Sequence, residues 1–177
     1  MAGLWTNLLA LALLMAAPAA DETISLAPAM EPLRFLVGHW EGAGDVTDAH
    51  GRSHGVSTIG VEADGRVLLR RDHTEVVDVA GKRTEGFGQL MVVYGEGPGV
   101  RADYMDGEGH VIHYGPAVVV AGRSVEFTSA EVPGAPTFRL RYDAVGAERL
   151  KVAFTIRPPG QATFQPIAVG ELHRTAP

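Results

Sequence analysis

The sequence predicts an all-β protein: a closed up-and-down antiparallel β-barrel of about ten strands, preceded by a short helical segment. Three observations support this fold class. Short segments with alternating apolar residues recur along the chain, glycine-containing turns separate them, and no window beyond Phe35 sustains helical periodicity. A length of 177 residues is typical of one domain with a sizeable core.

The beginning of the chain has the features of an export signal. An apolar run, Leu8–Met15, precedes Ala17 and Ala19, and this pattern is typical of a secretory signal peptide cleaved after Ala19. We therefore expect a signal peptide at 1–19, a flexible leader at 20–30, a barrel domain at 31–177, and a periplasmic or secreted protein. Residues 1–7 contain no Lys or Arg, so an uncleaved anchor or a start at Met30 stays open. A membrane-spanning helix needs about 20 apolar residues, and this run is shorter.

The predicted elements follow in order. A helical plug is expected near Glu31–Val37. The predicted strands are His39–Thr47, Ser53–Glu62, Val67–Val79, Thr84–Tyr94, Val100–Met105, His110–Val120, Ser124–Ser129, Thr137–Tyr142, Leu150–Arg157 and Ile167–Arg174.

The connections between these strands favour a meander. Asp64-Gly65, Ala80-Gly81 and Ala121-Gly122 are tight turns in which glycine supplies a positive φ. Strands joined by so few residues pair antiparallel with their chain neighbours. A sheet of about ten such strands that wraps around removes its exposed edges.

Alternation assigns the faces of several strands. Phe138, Leu140 and Tyr142 form one face of their strand, as Leu150, Val152, Phe154 and Ile156 do in theirs. We expect these apolar sets to point into the barrel. In Val67–Val79 the odd positions are the more apolar at both ends, and this favours an inward odd face.

That choice gives the first candidate for a binding site. Arg71, His73 and Glu75 share the odd face, and three inward polar residues fit a cavity better than a packed core. Arg71 would bind an anionic head group, with His73 as its hydrogen-bond partner. The alternative is that the strand faces the other way and the three form a surface ladder.

Composition excludes several classes of function. The net charge of −6 is spread without long runs, so nucleic acid is not an expected partner. Cysteine is absent, which removes disulfides, thiol nucleophiles and thiolate metal sites. His50 and His54 lie near Asp45 and Asp48 in a predicted loop that fixes no geometry, so no metal site and no catalytic residues are predicted.

The segment Phe35-Leu36-Val37-Gly38-His39-Trp40-Glu41-Gly42-Ala43-Gly44 carries a resemblance to a known group of barrels. It resembles the opening of calycin-superfamily proteins, in particular nitrobindin and bacterial lipocalin-like families of unknown function. The hairpin 104–109 is similar to a tyrosine-aspartate-glycine turn of these families. The resemblance implies that Gly38, Trp40, Gly42 and Arg174 form a structural floor, with Arg174 over the Trp40 ring.

Nitrobindin also implies haem bound through a late-strand histidine. Here the only late-strand histidine is His173, beside the residue assigned to the floor. We therefore predict no cofactor and keep haem as the alternative. A second alternative is a cofactor-free isomerase or hydrolase that uses His73 with Glu75 or Asp72.

The predicted function is binding of a small hydrophobic or amphipathic molecule in the lumen, without catalysis. A barrel packed solid is the structural alternative. The sequence does not specify the ligand or the oligomeric state. The predicted ligand-binding residues are Arg71, His73, Glu75, Phe87, Met91, Tyr104, Phe138, Tyr142 and Phe154, with Val152 as a further wall residue.

Overall fold

A computed structural model describes residues 25–46, 51–78 and 80–176, with the backbone alone for Thr84. The predicted signal peptide at 1–19, residues 20–24 of the predicted leader, and Asp48 and His50 lie outside this part. A 3₁₀ helix spans Glu31–Leu36. The strands are β1 Gly38–Val46, β2 Gly51–Glu62, β3 Val67–Val77, β4 Arg83–Glu96, β5 Gly99–Asp106, β6 Val111–Tyr114, β7 Val118–Val120, β8 Ser124–Thr128, β9 Thr137–Ala144, β10 Arg149–Arg157 and β11 Gln165–Thr175.

These strands form one antiparallel sheet in the order β6-β5-β4-β3-β2-β1-β11-β10-β9-β8-β7. Chain neighbours pair with each other except for β6 and β7, which stand at the two ends of this order, and β1 also pairs with β11, as Trp40 with Arg174. The first and last strands therefore meet, as an up-and-down barrel requires. The predicted all-β antiparallel barrel is confirmed.

The strands β6 and β7 are two halves of one interrupted strand, which closes the barrel. Tyr114 at the end of β6 bridges to Ser129, and the Gly115 N–H donates to the Thr128 carbonyl at 2.9 Å, beside β8. The Ala117 N–H donates to the Val100 carbonyl of β5 at 2.8 Å. The sequence predicted a single strand here, but Pro116 has no N–H to give to a ladder, so the strand divides around it.

The core lies at the end of the barrel that the 3₁₀ helix covers. Leu33 and Leu36 of the helix are buried with Trp40 of β1. These pack with side chains from both halves of the sheet, among them Leu68, Met91, Val125, Phe127 and Leu150. The predicted helical plug is thus present, and it closes one end of the barrel.

Residues 25–30 were assigned to a flexible leader, and the structure differs. Met30 is 1 % exposed, and the Ala27 N–H donates to the Gly65 carbonyl at 2.9 Å. Met30 belongs to the same apolar cluster as Leu33. Burial of this apolar side chain stabilises the packing of a segment that was expected to be flexible. Among the described residues, no helix is long and apolar enough to cross a membrane.

Candidate functional site

A cavity of about 940 Å³ occupies the half of the barrel away from the 3₁₀ helix. It is lined by the later residues of β1, β3 and β5 and by the earlier residues of β2, β4, β9 and β11. Glu108, Gly109 and His110, exposed residues of the turn after β5, stand at its open end. The lumen is therefore packed at one end and open at the other.

Aromatic and aliphatic side chains form the walls of this cavity. Phe138 of β9 and Phe154 of β10 stack with their ring centroids 5.8 Å apart and an interplanar angle of 11°. Phe87, Leu140 and Val152 extend the apolar surface. Such walls favour the hydrophobic part of a ligand through burial of apolar area.

A buried ion pair forms the polar base of the cavity. The Arg70 and Asp72 side chains are 13 % and 9 % exposed, and the guanidinium donates to Asp72 Oδ2. Arg70 Nη1 donates to the Tyr142 hydroxyl at 2.6 Å, and Nη2 donates to Gln89 Oε1 at 2.9 Å. The Gln89 amide in turn donates to Thr74 Oγ1 at 3.2 Å. The network ties β3 and β4 to β9 across the lumen.

The electrostatics of this network hold the guanidinium in its charged form. Burial by itself would lower the pKa of Arg70, but the Asp72 carboxylate and the Tyr142 hydroxyl outweigh it, and the pKa is raised. Burial raises the pKa of Tyr142 to about 12, against the opposing effect of Arg70. Tyr142 is therefore a neutral hydroxyl at any physiological pH.

Two buried oxygen atoms beside this network have no hydrogen-bond partner in the described part of the chain. These are Asp72 Oδ1 and Ser57 Oγ. Ser57 of β2 and Asp72 of β3 are paired in register, and both residues line the cavity. Buried polar atoms are nearly always satisfied, so this pair of exceptions needs a physical reason.

The turn after β5 forms part of the rim. Asp106 accepts hydrogen bonds from the Tyr104 hydroxyl at 3.1 Å and from the backbone N–H groups of Glu108 and His110 at 3.0 and 2.9 Å. Burial opposes ionisation of Asp106, but these hydrogen bonds prevail and lower its pKa. Carboxylate and imidazole atoms of Asp106, Glu108 and His110 lie within 4.8 Å of one another. The hydrogen bonds account for this arrangement as an ordered turn.

At the closed end, the residues that the resemblance assigns to a floor lie in contact with one another. The Arg174 guanidinium carbon lies 4.2 Å from the centroid of the Trp40 ring, and Nη1 donates to the Val37 carbonyl at 2.7 Å. Trp40 Nε1 donates to the Leu36 carbonyl at 2.8 Å. At Gly38, where φ is +138°, a Cβ would overlap the Arg174 guanidinium, and at Gly42 a Cβ would overlap the backbone of β11. Both glycines permit close approach.

The face assigned to β3 was wrong. Arg71, His73 and Glu75 lie on the outer surface, with side chains 59 %, 52 % and 40 % exposed. They form the surface ladder given as the alternative: His73 Nε2 lies 3.8 Å from Glu75 Oε1. The buried apolar residues Leu68 and Val76 belong to the even face and set the register. That face carries Arg70 and Asp72, which the predicted orientation of the strand placed on the surface.

The other predicted ligand-binding residues lie inside the barrel. Those that line the cavity are Phe87, Tyr104, Phe138, Tyr142, Val152 and Phe154. Met91 is 1 % exposed and belongs to the core, where its sulfur lies 3.7 Å from Arg70 Nη1. Their part in binding stays a prediction.

The histidines of the described residues lie mostly outside the lumen. His173 is 61 % exposed on β11, a position that does not suit an axial ligand for haem held in the lumen. His73 is on the opposite face of β3 from Asp72, so these two residues cannot act together as an acid and a base. Of the histidines in the described part of the chain, only His110 reaches the cavity, at the rim, where Nδ1 lies 3.0 Å from Asp106 Oδ2.

The fold and the cavity define an antiparallel β-barrel that is packed at one end and open at the other. No family model matches the sequence, and no curated protein matches it. One similar solved structure is an S-type phycobiliprotein lyase from Guillardia theta, at 8 % identity and a TM-score of 0.51, covering 81 % of this chain and 90 % of the lyase. Another is a de novo designed fluorescence-activating β-barrel, at 10 % identity and a TM-score of 0.43, covering 82 % and 98 %. The similarity to the lyase supports the barrel fold.

Proposed function

We propose that this protein binds a small amphipathic molecule inside its barrel and does not transform it. The observation that carries the proposal is the cavity of about 940 Å³, with aromatic walls and the buried Arg70–Asp72 pair at its base. Ligand sites commonly occupy about 300–1,000 Å³ and combine apolar walls with a few fixed polar groups. The walls hold the hydrophobic part, and the base orients the polar part.

The cavity favours binding over the alternative of a barrel packed solid. Protein interiors pack as densely as organic crystals and contain few voids larger than a water molecule. The core around Trp40, Leu68 and Phe127 has this density of buried side chains, with each of the three at 1 % exposure or less. The other half of the lumen is left open by the same strands.

Binding without catalysis and without a prosthetic group is also part of the proposal. The described residues bring no histidine beside Asp72, and the cavity's one histidine, His110, is held by Asp106 at the rim. The buried groups at the base are an ion pair and a neutral tyrosine, which suit recognition of a polar group. We also propose export, on the strength of the apolar run Leu8–Met15 and the alanines that follow it.

Native mass spectrometry of protein purified from its own host tests the proposal. We expect one small organic molecule per chain, released on unfolding. Val152→Trp fills the lumen and should abolish retention, whereas Lys151→Trp, on the adjacent exposed position, should not. If Val152→Trp fails to fold, Val46→Trp at the open end serves instead, with Asp45→Trp as its control.

An empty wild-type barrel that also refuses every added amphipathic probe would overturn the proposal. Retained haem, with its absorption spectrum, would support the alternative cofactor instead.

A further inference from the structure

The two oxygen atoms without partners at the base of the cavity specify the polar group of the ligand. Asp72 is 9 % exposed at its side chain and Ser57 is 7 % exposed, so both are more than nine-tenths buried. Asp72 Oδ1 and Ser57 Oγ have no hydrogen-bond partner in the described part of the chain. A buried polar atom left unpaired costs about 1–3 kcal/mol. A ligand group that pairs with them removes this cost.

The positive charge beside these two oxygen atoms, on the Arg70 guanidinium, is already paired. Arg70 donates to Asp72 Oδ2, to the Tyr142 hydroxyl and to Gln89 Oε1, and its charge is matched by the Asp72 carboxylate. Gln89, which faces Asp72 in register from β4, uses one of its two amide N–H groups on Thr74. A carboxylate ligand would therefore meet a saturated guanidinium and the unpaired oxygen of another carboxylate. Like charges at such close range are unfavourable.

Asp72 Oδ1 and Ser57 Oγ need different hydrogen-bond partners from a ligand. Asp72 Oδ1 is a carboxylate oxygen and can only accept a hydrogen bond. Ser57 Oγ can donate one and accept others. A primary or secondary amide supplies both an N–H for Asp72 and a carbonyl for Ser57, and an ammonium supplies the N–H alone.

We propose that the cavity selects ligands whose polar head carries an N–H donor, a neutral amide above all, and discriminates against carboxylates. This inference rests on the proposed function and adds the chemical class of the ligand. The apolar body of such a ligand lies against Phe87, Phe138 and Phe154, and its head lies between β2 and β3 at Ser57 and Asp72.

Calorimetric titration with decanamide, decylamine and decanoate tests the inference, because these probes differ only at the head. We expect the wild type to bind decanamide at least tenfold more tightly than decanoate, with decylamine between them. Ser57→Ala should weaken the binding of decanamide by about tenfold and that of decylamine by less, because only the amide has a carbonyl to accept the Ser57 O–H.

Asp72→Asn should reverse the selectivity. The Arg70 guanidinium will hold the carbonyl oxygen of the substituted side chain, and the new amide N–H will point to the cavity where an acceptor stood. The Arg70 charge is then unmatched, so decanoate should gain at least tenfold. Glu75→Gln, an equivalent change on the outer face of the same strand, is the matched control and should change none of the affinities.

The outcomes separate the two proposals. Equal affinities, or tighter binding of decanoate to the wild type, would overturn the selectivity and leave the binding function intact. A wild type that binds none of the three probes would overturn the selectivity, and together with an empty barrel in native mass spectrometry it would overturn the binding function as well. If thermal unfolding shows that Asp72→Asn does not fold, the ratio of decanamide to decylamine affinity in Ser57→Ala decides the matter.

Discussion

Ser57 and Asp72 face each other across β2 and β3, and each holds a buried oxygen atom with no partner among the described residues. Unpaired polar atoms destabilise an empty barrel and become useful when a ligand occupies it. The pair therefore links the stability of the fold to the recognition of the ligand.

Ser57→Ala should make the empty barrel more stable. The substitution removes an unsatisfied hydroxyl at a 7 % exposed position and leaves no new unpaired group. We expect the free energy of unfolding in denaturant to rise by about 1 kcal/mol, while decanamide binding weakens. A loss of more than about 1 kcal/mol would show that the hydroxyl has a structural role.

Arg70→Ala should be among the most damaging substitutions in the lumen. It leaves the Asp72 carboxylate buried and uncompensated, so we expect a loss of about 3–5 kcal/mol in the free energy of unfolding. Replacing both partners, with Arg70→Met and Asp72→Leu, should recover most of that loss because no buried charge remains. If the double variant does not recover stability, the ion pair itself is needed to specify the fold.

Arg174→Ala should lower stability without altering ligand binding. The guanidinium lies over Trp40 and donates to the Val37 carbonyl, at the end of the barrel away from the cavity. Loss of the cation–π contact and of this hydrogen bond should cost about 1–3 kcal/mol. The measurements are thermal unfolding and probe affinity, with Arg174→Lys expected to fall between the wild type and alanine. A change in affinity would place this residue in the binding site.

Alanine at Arg71, His73 and Glu75 together should have little effect. All three side chains are exposed on the outer face of β3, where such pairs contribute about 0–1 kcal/mol. Probe affinities should match those of the wild type. A loss of binding in this triple variant would contradict the outward orientation of these side chains and support the inward orientation that the sequence predicted.

The tyrosines should resist ionisation for as long as the barrel is folded. The pKa of each of Tyr94, Tyr104, Tyr114 and Tyr142 is raised from 10.0, with burial as the largest cause. Above pH 10 the folded chain therefore holds more protons than the unfolded chain, so the free energy of unfolding falls as the pH rises. Phenolate absorbance should appear together with loss of the fold. Ionisation of these residues near pH 10 in an intact barrel would contradict the buried network.

Much of the fold could be predicted from the sequence, because local patterns determine it. The alternation of Phe138, Leu140 and Tyr142 identifies an inward face, and glycine turns place chain neighbours side by side. The interruption at Pro116 was missed, although proline inside a predicted strand argues for a break. The burial of Met30 depends on contacts distant in the chain and has no local pattern.

The base of the candidate site was missed because its polar residues are paired in three dimensions. Arg70, Asp72 and Gln89 look like a surface in sequence, and only the register of β3 with β4 shows that they satisfy one another. In Val67–Val79 the odd-numbered positions hold more apolar residues than the even-numbered positions, and this count predicted the wrong inward face. Leu68 and Val76, the apolar even-numbered residues near the two ends of β3, were the available evidence that the even-numbered positions point inward.

The most direct test of the central claim is a map of backbone amide chemical shifts as decanamide is added to the wild-type protein. Binding in the lumen predicts the largest changes at Ser57, Asp72, Phe138 and Phe154, and small changes at Arg71 and His73 on the outer face. Changes concentrated on exposed outer residues such as Val118 and Val120, with the lumen unaffected, would contradict the account.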